Sequence, residues 1–299
     1  MSSTTFVPGS LEMLKLQVLA FALLISMVPA SAEPLKVLAA ENFYGDIARQ
    51  IGGSEIEVKS ILSNPDQDPH LFEASPSVAR SLADADIVIL NGVDYDPWMD
   101  KMLAATPSPK RKVIVAGEVA GRESGENPHL WYDLAVSKAV AKALTENLAQ
   151  ALPEKAAEFQ DREAKFEQSL KPLEAEIAKI SQTYAGTPVA AIEPVFGYML
   201  EAMSLDVREK SFQLAVMNDA EPSVSDVARF EDDLNGKVVK LFVYNKQATD
   251  PVADRLMALA EAGGIPVVAV TETMPAGVTY QRWLSDEVDA VAKALGSLH

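Results

Sequence analysis

The chain has 299 residues, 43 Asp and Glu against 26 Lys and Arg, a formal charge of -17, three histidines and no cysteine. An apolar fraction of 48% belongs to an ordinary folded protein, which excludes disorder and a disulfide scaffold; the length suits two domains of about 150 residues. The acidic balance repels phosphate backbones and acidic lipid headgroups, so nucleic acid is not expected as a partner.

Leu16 to Val28 is a short apolar run, followed by Pro29 and then Ala30-Ser31-Ala32 before Glu33. A membrane span needs about 20 apolar residues, and the Ala-x-Ala step is a cleavage pattern, so residues 1–32 read as an export signal peptide. Lys15 alone supplies positive charge ahead of the run, which fits better if translation starts at Met13. With no cysteine to carry a lipid, the mature chain is expected to be soluble and periplasmic. Cleavage removes Glu12 and Lys15, so the charge is unchanged.

Residues 33–152 alternate short apolar runs with helical patterns. Leu35 to Ala40 reads as a strand, Phe43 to Ile51 as a helix stopped by Gly52-Gly53, and Glu57 to Leu62 as a second strand. Ser75 caps a helix to Ala83 with Pro76 in its first turn, and Ile87 to Asn91 and Val113 to Val115 are further strands. Such alternation predicts an α/β lobe with a mostly parallel sheet flanked by helices, whose ligands sit at the carboxyl ends of strands.

Over residues 153–185 the composition turns to Glu, Lys, Gln and Ala. Phe159, Phe166, Leu170, Leu173, Ile177, Ile180 and Tyr184 recur at helical spacing, with Pro153 at the start, Gly186 at the end and Pro172 as an interior kink. One backbone helix of roughly 48 Å joining two lobes is expected, with a helical hairpin as the alternative. Residues 186–299 repeat the α/β grammar in Val189 to Ile192, Val238 to Tyr244 and Val267 to Val270, with helical patterns at Ser225 to Leu234 and Val252 to Ala262. The architecture repeats without a repeat in the sequence.

Of the histidines, His299 is terminal, whereas His70 and His129 occupy matched settings, Asp68-Pro69-His70-Leu71-Phe72-Glu73 and Asn127-Pro128-His129-Leu130-Trp131-Tyr132-Asp133. One such imidazole is more often structural, but two in matched settings point to paired metal ligands. Further oxygen donors are available in Glu193 and Glu272, each directly after or close after a strand run; either carboxylate alternatively caps a helix. Asp250, before Pro251, reads as a helix cap and is the weaker candidate.

These motifs resemble the metal-specific solute-binding proteins of bacterial ABC importers, the zinc and manganese binding cluster. The resemblance covers nearly the whole mature chain and rests on Asp68-Pro69-His70 with Glu73 and Ser75-Pro76-Ser77, Asn127-Pro128-His129-Leu130-Trp131, Glu193 to Leu200, and Thr271-Glu272-Thr273-Met274-Pro275. It implies two α/β lobes on a rigid backbone helix, with one ion held between them by His70, His129, Glu193 and Glu272. The partners it implies are the ion and the membrane permease of an ABC importer, and the chain is expected to be a monomer. The sequence departs from the family pattern where Glu272 stands in place of the usual aspartate, and Ala104 to Glu126 lacks the His-rich loop of many zinc members.

Two imidazoles and two carboxylates suit manganese, zinc or ferrous iron; a bidentate carboxylate, which expands the coordination number, leans the set toward manganese. Competing readings are a binding protein for an organic solute or an adhesive surface protein, either without metal, and a metallohydrolase. The first would use Trp98, Trp131 or Trp283, whose settings look like core anchors. Catalysis would need an open coordination position and a base, and no His-Glu-x-x-His motif is present, so no enzyme is expected.

Overall fold

The run from Leu35 forms β1 (Leu35–Glu41), buried from Val37 onward as a strand covered on both faces must be. It is followed by α1 (Asn42–Gly52), β2 (Ile56–Leu62), α2 (Pro76–Asp84), β3 (Ile87–Leu90), α3 (Pro97–Ala105), β4 (Lys112–Val115), α4 (Ala116–Val119) and α5 (Leu134–Ala151). The four strands pair in parallel in the order β2-β1-β3-β4. This computed structural model describes residues 1–3, 33–66, 69–218, 220–247 and 251–297. Residues 4–32 of the export signal, Met13 among them, and Asp68, Asp250 and His299 lie outside the described residues.

The helical connection is present but divided. After a single 3-10 turn, Pro153–Lys155, it forms α6 (Ala156–Ser169) and α7 (Lys171–Tyr184), parted at Leu170. Pro172 is the cause: it has no N–H for the carbonyl of Gln168, and its ring disfavours an unbroken helix there. The stripe Phe159, Phe166, Leu170, Leu173, Ile177 and Ile180 is buried throughout, as its spacing predicts. The α6 half packs on α1 and α5, and the α7 half on the second lobe.

That lobe runs β5 (Pro188–Ala191), α8 (Gly197–Ala202), β6 (Asp206–Val207), α9 (Lys210–Met217), α10 (Val224–Asn235), β7 (Leu241–Asn245), α11 (Pro251–Ala262), β8 (Val267–Val270) and α12 (Tyr280–Gly296). Its strands also pair in parallel, in the order β6-β5-β7-β8, so the two sheets share one topology. The apolar run at Val238 becomes strand only from Leu241.

Both lobes lie in one compact unit that starts at Leu35, and the main core passes through both sheets. Its spine is aromatic: Phe43 and Trp131 ring centroids are 4.7 Å apart, Tyr132 and Phe196 4.8 Å, and Tyr132 and Trp283 5.6 Å. Burying rings across the lobe boundary contributes about 2–3 kcal/mol each and resists wide separation of the lobes. Trp131 and Trp283 are therefore core anchors, whereas Trp98 is half-buried against Phe72. Among the described residues no helix is long and apolar enough to cross a membrane.

Candidate metal centre

All four candidate residues lie beyond the carboxyl ends of strands, where a parallel sheet leaves its loops. Proline shapes three of the positions: His70 sits in the 3-10 turn Pro69–Leu71, His129 follows Pro128 at the head of Leu130–Tyr132, and Glu193 precedes Pro194–Phe196. Glu272 follows β8 by two residues.

The structure brings three of the four together. His70, His129 and Glu272 each offer a donor atom within 4.8 Å of the others. Glu272 Oε2 is 3.4 Å from His70 Nε2 and 3.6 Å from His129 Nε2. Donors on one tetrahedral ion stand about 3.4 Å apart when each bond is roughly 2.1 Å, so the spacing fits a single small cation. Glu193, partly buried at the end of β5, does not join this group.

The three donors differ in exposure. The side chains of His129 and Glu272 are 1% and 0% exposed, while that of His70 is 40% exposed. Neither His129 Nε2 nor Glu272 Oε2 has a hydrogen-bond partner among the described residues. Buried polar atoms ordinarily have one, and two facing each other unsatisfied mark a place built for a ligand. Burial opposes ionisation of Glu272, but the adjacent imidazoles of His129 and His70 outweigh it and hold the carboxyl well below the usual carboxylate range. The site is thus primed for positive charge.

A second layer orients the donors. Asn127 Oδ1 lies 2.6 Å from His129 Nδ1 and also accepts from the His129 backbone N–H at 3.1 Å. An Nδ1–H donated there leaves the Nε2 lone pair facing Glu272. The same Asn127 reaches the second lobe, donating from Nδ2 to the Pro194 carbonyl at 2.7 Å, while Tyr198 donates to the Asn127 carbonyl at 2.8 Å. Gly197 leaves room for this amide, since a Cβ there would stand 2.9 Å from Asn127 Nδ2 and displace it. Glu272 is held in turn by Asn245, which donates to Oε1, and by Gln247, which accepts the backbone N–H groups of Glu272 and Thr273.

Tyr95 flanks both imidazoles. Its ring meets His70 and His129 edge-on, with centroids 5.9 and 6.1 Å away. It follows three consecutive left-handed residues, Gly92, Val93 and Asp94, a strained path closed by Asp96, which accepts from the N–H groups of Asn91 and Gly92 at 2.8 Å. Burial pushes the Asp96 carboxyl up to about 6, and burial with Asp96 nearby pushes buried Glu41, at the end of β1, well above its ordinary value. A cleft of about 380 Å³ beside His70, lined by Phe72, Tyr95, Trp98 and Met217 from both lobes, leads outward.

Residues 37–294 match the family described as "Zinc-uptake complex component A periplasmic", ZnuA. The chain belongs to that family. It is 24% identical over 286 residues to the manganese-binding lipoprotein MntA of Bacillus subtilis, covering 88% of this chain and 90% of that one. It is 25% identical over 187 residues to the zinc-binding protein TroA of Treponema pallidum, a match that covers 60% of each chain. The solved structure of that periplasmic zinc-binding protein superposes with a TM-score of 0.74 at 22% identity, covering 88% of this chain and 99% of the other, a likeness of fold. In this ZnuA-family chain the residues that sequence reasoning missed are Asn245, Gln247 and Tyr95. The signal for the first two was present in Tyr244-Asn245-Lys246-Gln247, polar groups at the carboxyl end of a strand run, where ligands gather.

Proposed function

We propose that this chain is an exported solute-binding protein that captures one divalent transition ion, zinc or manganese, between its lobes and delivers it to the permease of an ABC importer. The role is capture and release, not catalysis. The observation that carries the reading is the convergence of His70 Nε2, His129 Nε2 and Glu272 Oε2 from three distant loops, the last two buried and facing each other without hydrogen bonds among the described residues. These three are the proposed ligands, with Glu193 as a fourth, drawn in from the adjoining turn by the ion's charge. Two neutral imidazoles and two carboxylates bring the loaded site to net zero, which lowers the cost of burying it.

In this mechanism the ion arrives through the cleft beside His70, exchanges its waters first for the exposed imidazole and then for the buried pair, and closes the lobes by drawing on Glu193. The aromatic spine across the boundary keeps the movement small. The mature chain acts as a periplasmic monomer after removal of residues 1–32. Zinc and manganese titrations of the metal-stripped protein, followed by elemental analysis, test the reading: one tightly bound ion per chain is expected, lost in His129→Ala. No bound divalent ion at micromolar concentration overturns it.

A further inference from the structure

The two oxygens of Glu272 have different surroundings. Oε1 accepts a hydrogen bond from Asn245 Nδ2 at 2.5 Å, with both residues buried. The orientation of that amide is set independently, because Asn245 Oδ1 accepts the backbone N–H of Gln247 at 3.0 Å. A flipped amide would lose that acceptor and turn an oxygen toward a carboxylate. The backbone under Glu272 is also fixed, since Gln247 Oε1 accepts the N–H groups of Glu272 and Thr273 at 2.6 and 3.0 Å. Oε2 is the oxygen nearest the imidazoles, 3.4 Å from His70 Nε2 and 3.6 Å from His129 Nε2.

We propose that Asn245 is a specificity-determining residue: its hydrogen bond draws Oε1 toward the amide, so that Glu272 coordinates through Oε2, the coordination number stays low, and zinc is selected over manganese. This rests on the reading of the cluster as a metal cage. Zinc accepts a closed set of four nitrogen and oxygen donors, whereas manganese is better served by additional oxygens, which a two-oxygen carboxylate would supply. Asn245 is neutral, so it directs the carboxylate without changing the charge of the site. Asn245 would thus act through Glu272, as a positioning residue that never touches the ion.

The test uses the full mature protein with cobalt(II) as a spectroscopic probe and zinc against manganese in competition. Wild-type protein should give the strong visible d–d absorption of a low-coordinate cobalt site. Asn245→Leu, similar in size but without a donor, should weaken those bands as Oε1 joins the ion, and should shift the zinc-to-manganese preference about tenfold toward manganese. Gln247→Leu removes support from the backbone and not from the carboxylate, so it should lower both affinities and leave their ratio unchanged. An Asn245→Leu protein with the wild-type spectrum and ratio overturns the proposal and leaves the metal-binding reading standing. Should that variant fail to fold by circular dichroism, the wild-type spectrum decides, because weak high-coordinate bands overturn the proposal alone. A wild-type chain that binds no divalent ion removes the metal reading itself.

Discussion

The proposed metal centre has a built side and an open side, and they are made differently. His129 and Glu272 are sealed, and each is held by an amide: Asn127 sets the imidazole, and Asn245 sets the carboxylate. His70 lies in a single turn at the cleft, with its side chain 40% exposed, and Glu193 stands apart from the group. A fixed pair gives the ion a defined destination, while an accessible imidazole lets it arrive and leave. On the proposed reading, affinity is concentrated in the sealed pair, and exchange at the exposed imidazole.

The strongest way to break this comparison is Glu272→Gln, which removes the charge at the centre of the built side. Metal affinity by competitive titration should fall more than about a hundredfold, beyond what the loss of an orienting residue costs. A paired substitution sharpens it: His70→Ala and His129→Ala should both lose metal, but they should part in the stability of the metal-free protein. Denaturant unfolding should show a loss of about 2 kcal/mol or more for His129→Ala, whose ring packs against Trp131 at 5.3 Å, and within about 0.5 kcal/mol for His70→Ala. Equal losses would mean that the open side is as structural as the built one.

Asn127→Ala should cost about tenfold in affinity, since His129 loses its orienting acceptor and the Pro194 carbonyl its donor across the lobes. A smaller effect concerns pH. Glu287 in α12 accepts from Thr271 N–H, Trp283 Nε1 and Tyr132, and thereby anchors the residue before Glu272. Burial pushes its carboxyl up to about 8. The folded state thus favours the protonated form: the stability this contributes is full below the ordinary carboxylate range and is lost as pH rises toward about 8. Glu287→Gln should flatten that decline in thermal unfolding of the metal-free protein, though only partly, because Glu41 and Asp96 act in the same direction.

Seven of the eight strands, the helices α1, α2, α6, α7, α10 and α11 and the Pro-His settings were legible because they depend on short-range pattern. Leu35 to Ala40 and Val267 to Val270 are apolar runs of strand length, and Phe159 to Ile180 repeats with the period of a helix. Pro172 announced the break at Leu170, whereas the surfaces the two halves pack on, α1 and α5 for α6 and α8 and α12 for α7, were not legible. The two-residue β6 and the helices α3, α4, α5, α8, α9 and α12 went unread: β6 is too short for a pattern, and α12 holds buried Glu287 on its apolar face. Glu193 and Glu272 looked equivalent, both being carboxylates past a strand.

What the sequence alone determined is the alternation of strands and helices, the supply of two imidazoles and spare carboxylates, and the loops that carry them, all consequences of residue type and spacing. Which of those groups meet was decided only by the tertiary structure. The approach of His70, His129 and Glu272 spans about two hundred residues of chain, and the partners of Glu272, Asn245 at Oε1 and the two imidazoles beside Oε2, come from three separate segments. Local pattern carries no information on such pairings, because they arise when two separate sheets dock through a shared aromatic core and bring the carboxyl ends of their strands face to face.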